Sequence, residues 1–252
     1  MSDQDVHHGT VRAVDRALDI LLCFGRSDSG ISLGDIAKEV GLHKSTVHRL
    51  LASLQQKGFV RRHPHSDKYL LGWSLLELFG SIYQSDELST AVLPEMTRVR
   101  DVTGETVSLY IRSGIERIRI QSVESNEPVR NVASIGKTYP LYIGASGKVL
   151  LAFADVTVVE AVLADKSMPE EFHREELLAQ LETIRAEGYA ISIQERDAGA
   201  AALAAPIFGR NQEFLAALSV SGPISRFTPL KMSGHIETVR LSAARMTKLL
   251  SP

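Results

Sequence analysis

Apolar residues recur at helical spacing twice in close succession near the start of the chain, with one glycine between the two runs. In the first run Leu33, Ile36, Ala37 and Val40 share a face, and Ser32 stands where its hydroxyl can cap a helix start. In the second, Val47, Leu50, Leu51 and Leu54 form the stripe to be buried. The opposite face then carries Ser45, His48, Arg49, Ala52 and Gln56, with Lys44 and Thr46 to either side. Gly41 supplies the turn. An ordinary surface helix carries Glu and Lys pairs on its outer face, whereas this one is small and polar. Close approach to base edges in a major groove needs small residues and a few donors. After Gly58 as a helix stop, Phe59-Val60-Arg61-Arg62 and Lys68-Tyr69-Leu70-Leu71 read as two strands around a turn at His63 to Asp67. The pattern predicts a winged helix-turn-helix.

Ahead of this motif, residues 12–24 place Val14, Ala17, Leu18, Leu21 and Leu22 on one face, the third helix of a small DNA-binding core. After it, residues 73–83 are apolar at Leu75, Leu76, Leu78, Phe79, Ile82 and Tyr83, so broad a surface that the helix is expected to pack against another protomer as well as its own domain. Pro94 is expected in the first turn of the next helix, which Gly104 ends. From Glu105 the period shortens. Strands are expected at 106–111, 117–123 and 128–132, helices at 144–153, 157–165 and 174–187, strands again at 189–194, 201–208 and 214–221, and a last helix at 231–250. The order predicts an α+β chain. Residues 1–10 form a flexible N-terminus, 11–72 the winged helix-turn-helix, 73–104 linker and interdomain helices, and 105–252 a second, sensor-like domain.

Charge sharpens the picture. Between Gly41 and Gly72 stand Lys44, Arg49, Lys57, Arg61, Arg62 and Lys68 against Asp67 alone, a local net of +5 in a chain of net −2. Such lopsidedness is a footprint for phosphates, and double-stranded DNA is the first partner expected; Lys44, Ser45, Thr46, His48, Arg49, Arg61, Arg62 and Lys68 are its candidate contacts. The remaining composition is ordinary for a globular protein of 252 residues, 44% hydrophobic and 23% charged. The single cysteine, Cys23, allows no disulfide framework, the polar start predicts no cleavable leader, and no apolar run is long enough to cross a membrane. A cytoplasmic protein is expected.

Candidate chemistry beyond DNA is thin. Gly144-Ala-Ser-Gly-Lys148 resembles a phosphate loop but has Tyr142 where the motif needs Gly and Val149 where it needs Ser or Thr. Ser146 and Lys148 lack the setting of a serine hydrolase. His63, His65 and Asp67 sit on a short turn with Pro64 between them, better suited to phosphate or solvent than to a metal. Glu195, Arg196 and Asp197 read as a charged loop. With no acid–base or nucleophile constellation, the chain is expected to be neither an enzyme nor a binder of metal or cofactor. The alternative is an enzyme acting on a small acid, fused to a DNA-binding module.

Nearly the full length resembles the IclR family of bacterial transcription regulators. The resemblance is carried by RAVDRALDILLCF, SLGDIAKEVGLHKSTVHRLLASLQQKGFV and KYLLG in the N-terminal part, and by GKTYPLYIGASGKVLLAF, IRAEGYAISIQERDAGAAALAAPIF and ALSVSGPISR in the C-terminal part. It implies a linker helix leading to a GAF-like effector-binding domain, assembly into dimers or tetramers, and repression of a catabolic operon that a small organic acid releases or modulates. Carried over by position, the effector pocket would include Asn131, Tyr139, Ala145, Ser146, Ser192, Ala202, Ser219 and Ser221. Some relatives have Asp where this chain has Ser192 and Cys where it has Ala202. Tyr139 would add an aromatic wall suited to a flat or aromatic acid. The helix opening at Ala145, Ser146 and Gly147 offers free amides to a carboxylate, with Ser219 and Ser221 alternating on one side of a strand to orient it.

Overall fold

The computed structural model describes residues 11–250 except Asp28, Asp86, Ala133, Glu170 and Glu171, and the side chains of Arg26 and residues 83–87 also lie outside the description. The expected flexible segment 1–10 is likewise outside it. Two compact units, residues 1–86 and 87–252, divide the chain.

In the first unit, α1 (Arg12–Cys23), α2 (Leu33–Glu39) and α3 (Lys44–Gln56) surround a core of Ile20, Phe24, Ile36, Val47, Leu51, Val60 and Tyr69. Ser32 caps α2 by accepting from the Asp35 amide at 3.2 Å, and Gly41 turns the chain with φ +65°. The wing has three strands, one more than the sequence pattern predicts: β1 (Ile31–Ser32) lies beside β3 (Lys68–Leu71), which pairs in turn with β2 (Val60–Arg62). α4 (Ser74–Ser85) completes the unit. The face expected for α1 is corrected. Ile20 and Cys23 are buried, while Val14, Leu18 and Leu22 are exposed. The helix carries two apolar stripes, and only the one around Ile20 meets the core that α2 and α3 build.

The second unit is a six-stranded antiparallel sheet in the order β6-β5-β4-β9-β8-β7. Its strands are β4 (Thr106–Ser113), β5 (Glu116–Val123), β6 (Thr138–Pro140), β7 (Ala190–Ile193), β8 (Ala200–Phe208) and β9 (Phe214–Pro223). Its helices are α5 (Glu87–Thr103), α6 (Ala145–Ala152), α7 (Val156–Leu163), α8 (Arg174–Glu187) and α9 (Pro229–Leu249). Side chains two apart share a sheet face, so each strand divides its residues between two cores. Val107 and Leu109 of β4, Leu203 and Ile207 of β8, and Leu218 and Val220 of β9 pack with Met96 of α5 and Met232 and Met246 of α9. Tyr110, Ala204 and Ala217 turn the other way, against Val149 and Leu150 of α6 and Leu177 and Leu181 of α8.

Two expectations fail here. Residues 128–132 form no strand, because Thr138 to Pro140 occupy the place beside β5, with Arg117 opposite Tyr139. The preceding loop is held instead by its side chains and carbonyls: the Glu127 amide donates to Ser125 Oγ and Arg226 Nη2 to the Val129 carbonyl. Pro94 lies inside α5 rather than in its first turn, because the helix starts earlier, at Glu87; it stands on an exposed face and forgoes one helical hydrogen bond there.

α5 and α9 are tied by Glu95, whose Oε1 accepts from Arg98 Nη2 at 2.8 Å and Arg245 Nε at 2.7 Å. Burial alone would raise its carboxyl, but the bonds from Arg98, Arg245 and Ser242 outweigh it and hold the pKa down to about 2. A carboxyl depressed in the folded state stabilises above its unfolded pKa, and that stability is lost as pH falls through the folded value. Glu95→Gln is therefore expected to lower the unfolding temperature at pH 7, with the gap to the parent protein narrowing below about 4.5 and closing near 2. Thermal unfolding followed by circular dichroism across that range checks it.

Candidate functional site

Within the first unit α3 presents Lys44, Ser45, His48 and Arg49 to solvent, with Thr46 half-buried. Its sequence forms a helix with no acidic residue in the first turn and only Val47 and Leu51 fully buried, which leaves the outer face free of carboxylates that would repel phosphates. Arg16 of α1 joins Thr46, Arg49 and Ser53 around one groove, a basic position that the sequence pattern alone does not single out. The wing cations separate by strand alternation. Arg61 lies opposite Leu70 and Arg62 opposite Tyr69, so the two arginines project from different faces, and Lys68 shares the Arg61 side. Arg62 stacks on Tyr69 at 5.3 Å and donates to its hydroxyl at 3.1 Å. Arg61 lies over Trp73 at 5.4 Å, and Lys68 Nζ reaches Ser29 Oγ at 3.4 Å. These contacts anchor the long side chains of the wing.

Within the second unit a cavity with about 420 Å³ of empty space, mouth included, opens between the sheet and the start of α6. It forms where the sheet face that packs on α6 turns from apolar to small and polar: Ser192 of β7, Ala202 of β8, and Ser219 and Ser221 of β9. Ala202 pairs with both Ser192 and Ser221, so these short side chains are clustered by register. Asn131 closes one side and donates from Nδ2 to Ser221 Oγ at 3.0 Å. Ala145 and Ser146 supply the α6 wall. α6 starts after Gly144, whose φ of +83° a side chain would strain, and Ser146 makes no capping bond to its own helix. Among the described residues no group accepts from the amides of Ala145, Ser146 or Gly147.

Two of the nine expected pocket residues lie elsewhere. Gly147 turns from the cavity toward β5, where a Cβ would collide with Arg117 Nη1 and the Leu141 carbonyl. Tyr139 is not in the lining because cations cover its ring: Arg196 at 4.3 Å, Arg117 at 5.2 Å and Lys137 at 5.6 Å. Glu195, Arg196 and Asp197, which read as a plain charged loop, line the cavity together with Arg117 and Tyr110. The lining is thus not free of acids. Arg196 pairs with Asp197, its Nε 2.8 Å from Oδ2, and Glu195 bridges Lys148 Nζ at 2.6 Å and the Gly144 amide at 2.9 Å. Lys148, itself buried, also donates to Gln180 Oε1 at 3.1 Å. Burial pushes the Arg117 guanidinium down to about 10, with Arg196 and Arg119 adding repulsion that the rings of Tyr110 and Tyr139 partly offset. It stays charged at neutral pH. The serines, amides and cations that converge here can bind and orient a small anion, and among the described lining residues no nucleophile–base pair is found.

Residues 13–64 match the IclR helix-turn-helix domain, and residues 81–248 match the domain described as bacterial transcriptional regulator IclR C-terminal. The chain is 33% identical to the transcriptional repressor IclR of Escherichia coli K12 over 230 residues, covering 87% of this chain and 83% of that one. Its fold is similar to that of an IclR transcriptional regulator from Alicyclobacillus acidocaldarius, with a TM-score of 0.81 at 28% identity over 95% of this chain and 99% of the other. It is also similar to an IclR homologue from Microbacterium hydrocarbonoxydans in complex with 4-hydroxybenzoate, with a TM-score of 0.77 at 26% identity over 94% and 98% of the two chains. A basic reading helix with a wing, a polar cavity at the opening of α6 and agreement along both halves lead to one conclusion: the chain belongs to the IclR family of bacterial transcriptional regulators, which are not enzymes.

Proposed function

We propose that the protein is a repressor of a catabolic operon, acting in the cytoplasm, whose hold on its operator is changed by a small organic acid bound in the cavity at the start of α6. The observation that carries this reading is the pairing of two surfaces of opposite use in one chain, an acid-free basic helix face and a partly open cavity rich in serine hydroxyls. The similar protein from M. hydrocarbonoxydans holds 4-hydroxybenzoate, which supports a carboxylate of that size as the first effector to try. Free amides at the opening of α6 favour an anion, and Ser219 and Ser221 orient it without bulk.

Self-association belongs to the same reading. Trp73 is 69% exposed, Leu76 59% and Ile82 64%, an apolar surface that water covers poorly in an isolated unit. A dimer, or a tetramer built from dimers, would cover it and set two copies of α3 in successive major grooves.

Four outcomes are expected. Arg49→Ala and Ser45→Ala weaken binding to the specific operator, by roughly 1 to 3 kcal/mol for each base edge left unread. Arg61→Ala and Lys68→Ala weaken binding to every duplex and lower the salt slope by about one unit per phosphate left unpaired. Fluorescence anisotropy on operator and scrambled duplexes over a salt series separates the two classes, and unchanged binding in all four folded variants would place the DNA surface elsewhere. Sedimentation at micromolar concentration is expected to give at least a dimer and footprinting an imperfect palindrome; a stable monomer contradicts both. Ala202→Leu, which fills the cavity from β8, is expected to abolish the response to 4-hydroxybenzoate or another effective acid while ligand-free operator affinity stays within about twofold, since additivity holds for distant sites. A response that persists in this variant moves the sensing site out of the cavity.

A further inference from the structure

We propose that Arg117 is the counter-charge of the cavity's ligand, and that this ligand is a monocarboxylate with a neutral hydrogen-bonding group at its far end rather than a diacid. The proposal deepens the effector reading above and rests on it.

The balance of charge within the lining points to Arg117. Four charged side chains face the cavity: Arg117, Glu195, Arg196 and Asp197. Arg196 is matched by Asp197, and Glu195 by Lys148. Arg117 has no carboxylate partner among the described residues. It is 2% exposed, and its only hydrogen bonds to them run from Nη1 to the neutral carbonyls of Pro140 and Ile143. Its Nε is buried without an acceptor, and Nη2 makes no hydrogen bond to the described residues. A buried guanidinium in that state is costly, with only the faces of Tyr110 and Tyr139 near it and two further arginines adding repulsion. Nη2, which unlike Nε is not closed off, is the donor a ligand carboxylate would meet with a charge-assisted hydrogen bond.

The second set of donors converges on the same place. A Cβ on Gly144 would lie 3.0 Å from Arg117 Nη2, so the guanidinium rests directly against the opening of α6 and its unused amides. One anion can therefore meet Nη2 and the helix start together. The rest of the cavity offers neutral partners, the hydroxyls of Ser192, Ser219 and Ser221 and the Asn131 amide. A second carboxylate would find no unmatched cation among the described lining residues and would share the space with Glu195 and Asp197. An alcohol or ketone at that end meets hydroxyls instead.

The test uses the full-length protein and two triads of probes at fixed ionic strength: 4-hydroxybenzoate, 4-hydroxybenzamide and terephthalate, then lactate, lactamide and malonate. Isothermal titration is expected to show, in at least one triad, the monoacid binding about ten- to a hundredfold more tightly than its amide, and more tightly than the diacid. Arg117→Met should bring the acid and amide affinities together, and Arg117→Lys should restore part of the difference, a ratio that a purely structural defect would not move. The wild-type comparison stands without any variant. A diacid that binds as tightly as the monoacid, an amide equal to its acid, or an acid-to-amide ratio that survives Arg117→Met overturns the proposal; the effector reading survives if the bound compound still shifts operator affinity. Absence of binding by all six compounds also overturns it and leaves the effector reading to the operator titration with Ala202→Leu.

Discussion

The approach of α6 to the sheet is limited by one side chain. Arg117 reaches from β5 to the carbonyls of Pro140 and Ile143 and so fixes the connection that leads from β6 into α6. Only glycine fits at 147, because a Cβ there would strike the guanidinium and the Leu141 carbonyl, and Gly144 keeps its own distance from the same group with a positive φ. A larger residue at 147 would have to displace the guanidinium and the connection before α6. Every residue of α6 is buried, so the position set at its first turn is transmitted along the whole helix to α8 and β8.

The same sheet serves two purposes because its faces are independent. On the side of α5 and α9 the strands supply Leu109, Leu203, Leu218 and other fully buried residues, a continuous apolar core. On the side of α6 the apolar packing stops at Ala204 and Ala217, and the next positions along the strands are Ala202 and Ser219. Antiparallel pairing keeps the backbone groups satisfied through both regions, so the change from core to cavity needs no break in the ladder. The three-stranded wing makes a similar division at smaller scale, with Tyr69 turned into the core and Lys68 and Leu70 partly exposed on the other side.

The elements set by local period were the most legible in the sequence. The reading helix, its glycine turn, the wing strands and the alternation of Ser219 with Ser221 depend on spacing within a few residues, and the structure has them where that spacing puts them. What was hidden depends on partners far along the chain. Arg117 and Arg119 alternate with Ile118 and Ile120 in β5, a pattern that reads as a solvent-facing edge until α6 and its preceding loop are laid over it. Glu195 and Arg196 read as loop charges because their partners, Lys148 and Tyr139, are distant in sequence. α1 offered two apolar stripes and no local reason to choose Ile20 over Leu18. Residues 128–132 have the composition of a strand, but a segment further along the chain, Thr138 to Pro140, took the edge of the sheet.

The cavity wall is made of short side chains, three of them on the interior strands β8 and β9 and one, Ser192, on the edge strand β7, and this bears on how such a site can change. Ser192, Ala202, Ser219 and Ser221 each project into space that nothing else in the sheet requires. Exchange of one of them for a residue larger by a few atoms recuts the cavity without disturbing the ladder, the opposite core or the winged unit that holds DNA. Were this the effector site proposed above, a single codon change in its wall would be enough to alter which small acid is read while promoter recognition stayed intact.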